Sequence, residues 1–153
     1  MLKEAGPLDK NNPGFTEHLL DPRWRLSIPT QHRADIIKDN QVVLAAGYKG
    51  SLAIWNPDMW EKKGGRAGDV PPEERASFED RFIAKVTHWI EKVDSQARVQ
   101  LPDFLRDFCK LPRREVVVAD AGDHILIWDR ERWKEFLYQE FSRLEKSNKP
   151  PGP

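Results

Sequence analysis

Asp21-Pro22-Arg23-Trp24-Arg25-Leu26-Ser27-Ile28-Pro29 decides the fold, because the chain carries it twice. Its second form is Asp94-Ser95-Gln96-Ala97-Arg98-Val99-Gln100-Leu101-Pro102. Both read Asp-x-x-x-Arg-apolar-polar-apolar-Pro, and the copies start 73 positions apart, at 21 and 94. The offset continues without a gap: Arg33 falls on Arg106, Val43 on Val116, Ile54 on Ile127, Trp55 on Trp128 and Trp60 on Trp133. Matches of Asp, Arg, Pro and Trp do not arise from hydrophobicity alone. The chain is a duplicated unit.

Outward from the motif, the local signals repeat as well. Residues 16–20 and 25–28 read as strands joined by a loop in which Pro22 presets a turn and Asp21 can accept backbone amides. Pro29 stops the second strand, and Thr30 to Ile37 reads as a short helix with Ala34 and Ile37 spaced to face a core. Residues 41–46 form a buried strand, Gly47 to Gly50 a turn, and 51–55 a returning strand. Asn56-Pro57-Asp58 then starts a helix, with Asn as cap and Pro in first position.

Between the copies, Gly64 to Asp69 reads as a linker, and Pro71-Pro72-Glu73-Glu74 opens a helix with Phe78, Phe82 and Ile83 on one side. The second copy follows the same order: strand 87–93, the Asp94 loop, a strand, helix 104–110, strand 115–119, turn 120–123 and strand 124–128. A last helix from near Asp129 places Trp133, Phe136, Leu137, Phe141 and Leu144 on one stripe. The organisation expected is a mobile tail over 1–15, a first unit over 16–66, a linker and connecting helix over 67–86, a second unit with its C-terminal helix over 87–146, and a mobile tail over 147–153. The fold class is α+β: two β-β-α-β-β-α units that pair their sheets around a pseudo-twofold axis, since four short strands bury little alone.

Composition bounds the function. With 39% hydrophobic residues including six Trp, the 153-residue chain can bury a core. Twenty-five basic and twenty-five acidic residues balance to a formal net charge of zero, which argues against broad coating of nucleic acid and leaves a local basic patch open. The single Cys109 excludes an intrachain disulfide and suits a reducing cytoplasm. No apolar run approaches the ~18 residues of a membrane span, and no signal-peptide core is visible.

The segment Glu17-His18-x-Leu20-Asp21-x-x-x-Arg25-Leu26-Ser27-Ile28-Pro29-x-x-x-Arg33 resembles the opening of the MraZ family of bacterial proteins, built from two tandem AbrB-like units. The resemblance runs from about Thr16 to Phe141 and covers both loop motifs. It implies a swapped-hairpin β-barrel within one chain, self-association into a ring, and transcriptional regulation through DNA boxes repeated in direct orientation upstream of the division and cell-wall gene cluster. A cytoplasmic, nucleoid-associated protein is implied too. The family's loop Arg maps onto Arg25 and Arg98, and its Asp onto Asp21 and Asp94. Where the family usually has Lys-Gly before that Arg, this chain has Arg23-Trp24 and Gln96-Ala97. Gly gives left-handed backbone freely, so Trp24 and Ala97 predict a loop of different shape. DNA contact is therefore expected at the first loop ahead of the second.

The candidate DNA-binding residues are Arg25, Arg23, Arg98 and Arg33, a side-chain type that favours phosphate and guanine. The competing reading pairs each loop Arg with its own Asp. Asp21 and Asp94 read as turn-formers, since a carboxylate near phosphate is repelled. Trp24 shapes the loop, and either stacks on a base or serves a protein–protein contact, with the interface favoured. Trp55, Trp60, Trp128 and Trp133 read as core or packing residues.

No enzyme or cofactor is expected. Gly47-Tyr48-Lys49-Gly50-Ser51 lacks phosphate-loop spacing, and His18, His32, His88 and His124 are scattered, so no metal site is assigned. Cys109 reads as a small buried hydrophobe. The rival function is an oligomeric structural or protein-binding member of the same fold with weakened or lost DNA binding.

Overall fold

In a computed structural model, residues 14–64 and 82–148 are described. The expected linker from 65 onward and the start of the connecting helix, Phe78 included, lie outside them, as do most of the N-terminal tail and residues 149–153.

In chain order the elements are β1 (Phe15–Leu19), β2 (Arg25–Ser27), α1 (Thr30–Ile36), β3 (Gln41–Ala46), a 3-10 turn (Tyr48–Gly50), β4 (Leu52–Trp55) and α2 (Pro57–Met59), which widens into a further turn over Trp60–Gly64. The helical residues 82–87 form α3. Then come β5 (Trp89–Lys92), β6 (Arg98–Gln100), α4 (Asp103–Phe108), β7 (Glu115–Asp120), β8 (His124–Asp129) and α5 (Arg130–Asn148).

One antiparallel sheet has the order β1-β7-β8-β4-β3-β5, and β2 pairs with β6 in a separate two-stranded ribbon. The units are interleaved. β1 of the first lies on β7 of the second, while β5 of the second lies on β3 of the first. At the centre β4 meets β8, with Ala53 opposite Leu126, and in the ribbon Leu26 lies opposite Val99. Each of these pairs is separated by the 73-residue offset, so the pseudo-twofold axis passes through both. Among the described residues the pairing gives two sheets, connected at the isolated Val93–Val99 bridge.

Alternation of side chains sorts the sheet's two faces. Val42, Leu44, Leu52, Ile54, Val116, Val118, Ile125 and Ile127 point into the main core, which Leu26 and Val99 of the ribbon close from the other side. On the opposite face, Ala53, Val117, Leu126 and Trp128 pack under Trp133 and Phe136 of α5, and Val43 and Ala45 pack with Trp60. The ribbon and α5 therefore occupy opposite sides of the large sheet.

Those faces correct one point of the repeat. The gapless offset puts Val43 on Val116, yet Val43 lies on the outer face and Val116 in the core. β3 sets Val43 opposite Trp55, whereas β7 sets Val117, not Val116, opposite Trp128. The equivalent pairs are Val42 with Val116 and Leu44 with Val118. One residue is gained before β7 and lost again in the hairpin that follows it. A one-residue slip turns every side chain to the other face, so the strand must be displaced to keep its apolar positions inside.

Other boundaries shift for local reasons. α1 buries His32 and Ile36, while Ala34 is exposed and Ile37 only half-buried. Ile36 corresponds to Cys109, which is fully buried as expected, its thiol pushed up to about 12 by burial. Thr87 belongs to α3 and not to a strand, its Oγ1 donating to the Ile83 carbonyl at 2.7 Å. Asn56 caps α2 by accepting from Asp58 N at 2.9 Å. Its repeat partner Asp129 caps α5, accepting from Glu131 N and Arg132 N at 3.2 Å each and from Arg113 Nη2 at 2.9 Å. Arg113 Nε adds a fourth bond at 3.3 Å, and Asp129 is fully buried, so an Asp129→Ala substitution removes the acceptor of four donors at once. It is expected to lower the unfolding free energy by about 1–3 kcal/mol, seen in urea titration as a lower midpoint at unchanged slope.

Candidate nucleic-acid interface

Each Asp-x-x-x-Arg segment folds as one self-contained turn. Asp21 Oδ1 accepts the amides of Arg23 and Arg25 at 2.9 Å, and its Oδ2 accepts Arg25 Nε at 2.6 Å. Asp94 does the same with Gln96 N and Arg98 N at 2.9 Å and Arg98 Nε at 2.8 Å. Both Asp are thus turn-formers. The Arg–Asp pairing within the turn is also real, but it engages only Nε. Among the described residues the terminal amino groups of Arg25 and Arg98 make no hydrogen bond, and they remain as donors for an anion.

The loops meet across the axis. Ile28 N donates to Ala97 O at 2.9 Å, and Leu101 N to Trp24 O at 3.1 Å, a pair of bonds related by the repeat. In the ribbon, Arg25 lies opposite Gln100 and Ser27 opposite Arg98. Because Leu26 and Val99 point inward, these four side chains share the solvent face. The structure thus brings Arg25 and Arg98 together on one surface, with Arg23 at its rim. Arg33 is on α1, where its Nε donates to the Ile28 carbonyl at 2.7 Å and fastens the helix to the end of β2.

Trp24 has φ 63° and Ala97 φ 59°, so both adopt the left-handed conformation that Gly would adopt freely. The turn's three hydrogen bonds to Asp impose it, at a cost of about 1–2 kcal/mol per residue. Trp24 is half-buried against the main core, and the Arg106 guanidinium lies 4.2 Å from its ring centroid. Arg106 is held in turn by Asp103. The Trp24 ring is therefore engaged within its own chain, by the helix of the other unit.

Two residues of this surface escaped the sequence reading. Gln100 Nε2 donates to the Arg23 carbonyl at 2.7 Å and latches the first loop. Ser27, its counterpart, is exposed and makes no such bond among the described residues. The alternation Arg25-Leu26-Ser27 and Arg98-Val99-Gln100 was the available signal, since it puts the outer two of each triplet on one face.

Comparison with known proteins agrees with this architecture. The family described as "MraZ protein, putative antitoxin-like" matches residues 13–67 and 91–150. The chain belongs to the MraZ family. Among its relatives, a transcriptional regulator MraZ of Thermus thermophilus is 33% identical over 144 residues, spanning 92% of either chain. The transcriptional regulator MraZ of Solidesulfovibrio magneticus is 32% identical over 131 residues, 82% of this chain and 84% of its own. That of Heliobacterium modesticaldum is 27% identical over 125 residues, 80% of this chain and 84% of its own. The first matched segment carries β1 to β4 and the second carries β6 to β8.

The turns of this MraZ-family chain titrate. Burial works against the Asp21 carboxylate, but the amide and guanidinium of Arg25 and the amide of Arg23 outweigh it and hold the group below its ordinary 3.8. For Asp94 the Arg98 amide is the largest influence and the direction is the same. A carboxyl depressed by folding adds stability above its unfolded pKa, and that contribution disappears as pH falls through the folded value. Asp21→Asn and Asp94→Asn are thus expected to destabilise the protein at neutral pH and to converge with the unaltered chain as pH falls through the depressed folded value, below 3.8, in acid-unfolding curves. Ala97→Gly relieves the left-handed strain and is expected to raise stability by up to about 1 kcal/mol in thermal unfolding.

Among the described residues no helix is long and apolar enough to cross a membrane, and no group of His, Cys, Asp and Glu is placed to hold a metal.

Proposed function

We propose that the chain is a sequence-specific DNA-binding transcriptional regulator whose β2–β6 ribbon faces the duplex. The observation that carries this is the ribbon's solvent face, where Arg25 and Arg98 stand on either side of the axis with their Nε atoms fixed and their terminal amino groups open. A two-stranded ribbon fits the major groove of B-DNA, where Arg reads guanine and Gln reads adenine. Arg23 adds a phosphate contact from the rim. Arg33, off the ribbon, supports the loop from behind. The role of its relatives as transcriptional regulators favours the same reading.

The target sites are boxes repeated in direct orientation upstream of the division and cell-wall gene cluster, and the protein acts in the cytoplasm at the nucleoid. One neutral protomer with a few Arg contacts binds weakly. Copies linked in a ring each engage one box, which raises affinity through effective concentration. The exposed Phe141 and Leu144 on α5 support self-association, since they continue the apolar stripe begun by Trp133 and Phe136. The rival, a protein-binding oligomer without DNA contact, loses one support because Trp24 packs inside its own chain.

Arg25→Ala is expected to weaken binding to an upstream DNA fragment by at least tenfold in a gel-shift titration, and to reduce the slope of log affinity against log salt by about 1 if the contact is to phosphate. Binding at unaltered affinity by Arg25→Ala and Arg98→Ala together would remove the proposal. Sedimentation of the same samples reports the ring.

A further inference from the structure

We infer that each protomer docks on its DNA box in one fixed orientation, with Arg23, Ser27, Gln96 and Gln100 setting that polarity. This rests on the DNA-binding reading and adds what the pseudo-symmetry of the ribbon demands. A twofold-symmetric reader placed on a duplex presents the same side chains to both half-sites and selects a palindrome. Here the backbone is symmetric to the level of single hydrogen bonds, with Ile28 N to Ala97 O repeated as Leu101 N to Trp24 O. The solvent-facing side chains are not.

Across the axis Arg25 is matched by Arg98, but Arg23 is matched by Gln96 and Ser27 by Gln100. The first loop end thus carries two cations and the second carries one. The rim differs in stiffness as well as charge. Gln100 ties its amide nitrogen to the Arg23 carbonyl at 2.7 Å, leaving its amide oxygen as an acceptor, whereas Ser27 is too short to repeat that latch on Gln96. Behind the loops, Arg106 stacks on Trp24, while Ala97 offers Arg33 no ring.

A surface with one backbone axis and two unlike halves binds a duplex better one way round. Repeats in one direction, and not inverted pairs, are the arrangement that serves such a reader. The polarity is a property of the protomer, independent of how many copies assemble.

Affinity cleavage reads orientation directly. Cys109 is buried and its thiol is pushed up to about 12, so it does not compete for a thiol-directed iron–EDTA reagent. Phe104→Cys on α4 places the reagent on the helix whose Arg106 covers the first loop, and Gln31→Cys on α1 places it at the equivalent position of the other unit. Each conjugate of the full chain is bound to a DNA fragment from upstream of its own gene. Phe104→Cys is expected to cut one flank of each box at least about fivefold more than the other flank, the lower end of what a single base contact discriminates. Gln31→Cys cuts the opposite flank. In the exchange variant R23Q/S27Q/Q96R/Q100S the flanks trade places.

Equal cutting on both flanks, or an exchange variant that binds and cuts as the parent does, overturns the inference while leaving DNA binding intact. Should the exchange variant not bind, Arg23→Gln alone decides. It removes the extra cation and is expected to bring the flank ratio toward unity, and an unchanged ratio overturns the inference. Absence of any gel shift by the unaltered chain instead removes the DNA reading on which it rests.

Discussion

Neither unit can satisfy its own strands, and the rest of the molecule follows from that constraint. β1 finds its partner on β7 and β5 on β3, so each unit's first strand completes the other's hairpin. β2 has only β6, and the ribbon they form closes the main core through Leu26 and Val99. Backbone groups removed from water must be paired, and short strands in one copy leave too many unpaired. Joining two copies in one chain makes the pairing intramolecular. It also fixes the loops of both copies to one surface, which is why two motifs far apart in sequence become a single face.

The second constraint is local. One carboxylate in each loop accepts two amides and one guanidinium Nε, and this suffices to hold a left-handed residue at the fourth position, whether Trp24 or Ala97. The same carboxylate sets the direction of Arg25 and Arg98. Turn formation and the presentation of charge are thus one device. The ribbon's alternation supplies the remainder by sending Leu26 and Val99 inward and their neighbours out.

Much of this was legible in the sequence because it rests on residue types with few alternative explanations. Repeated Asp, Arg, Pro and Trp identify the duplication, and Asn56-Pro57 announces a capped helix that the structure contains. The Asp-centred turns were legible for the same reason. The β3–β7 displacement was not, since runs of Val and Ala match equally well at either offset and only the facing of Trp60 and α5 distinguishes them. α1 was misjudged because its buried face uses His32, a residue whose type gives no inward signal, with Ile36. Trp24 could not be placed because its partner Arg106 comes from the other unit, and Gln100 escaped because its latch spans the two copies. Contacts across the duplication are invisible to a reading that takes each copy by itself.

The interleaving bears on how the protein is made. A ribosome delivers β1 to β4 first, and at that stage only the β3–β4 hairpin has a partner. β1 must wait for β7, β2 for β6, and the open edge of β4 for β8. A prematurely terminated product would hold a set of unpaired strands that no rearrangement within it can satisfy, the kind of species that chaperones retain and proteases remove. Only a chain translated through β8 can pair all of these strands, so the topology itself screens nascent products for completeness.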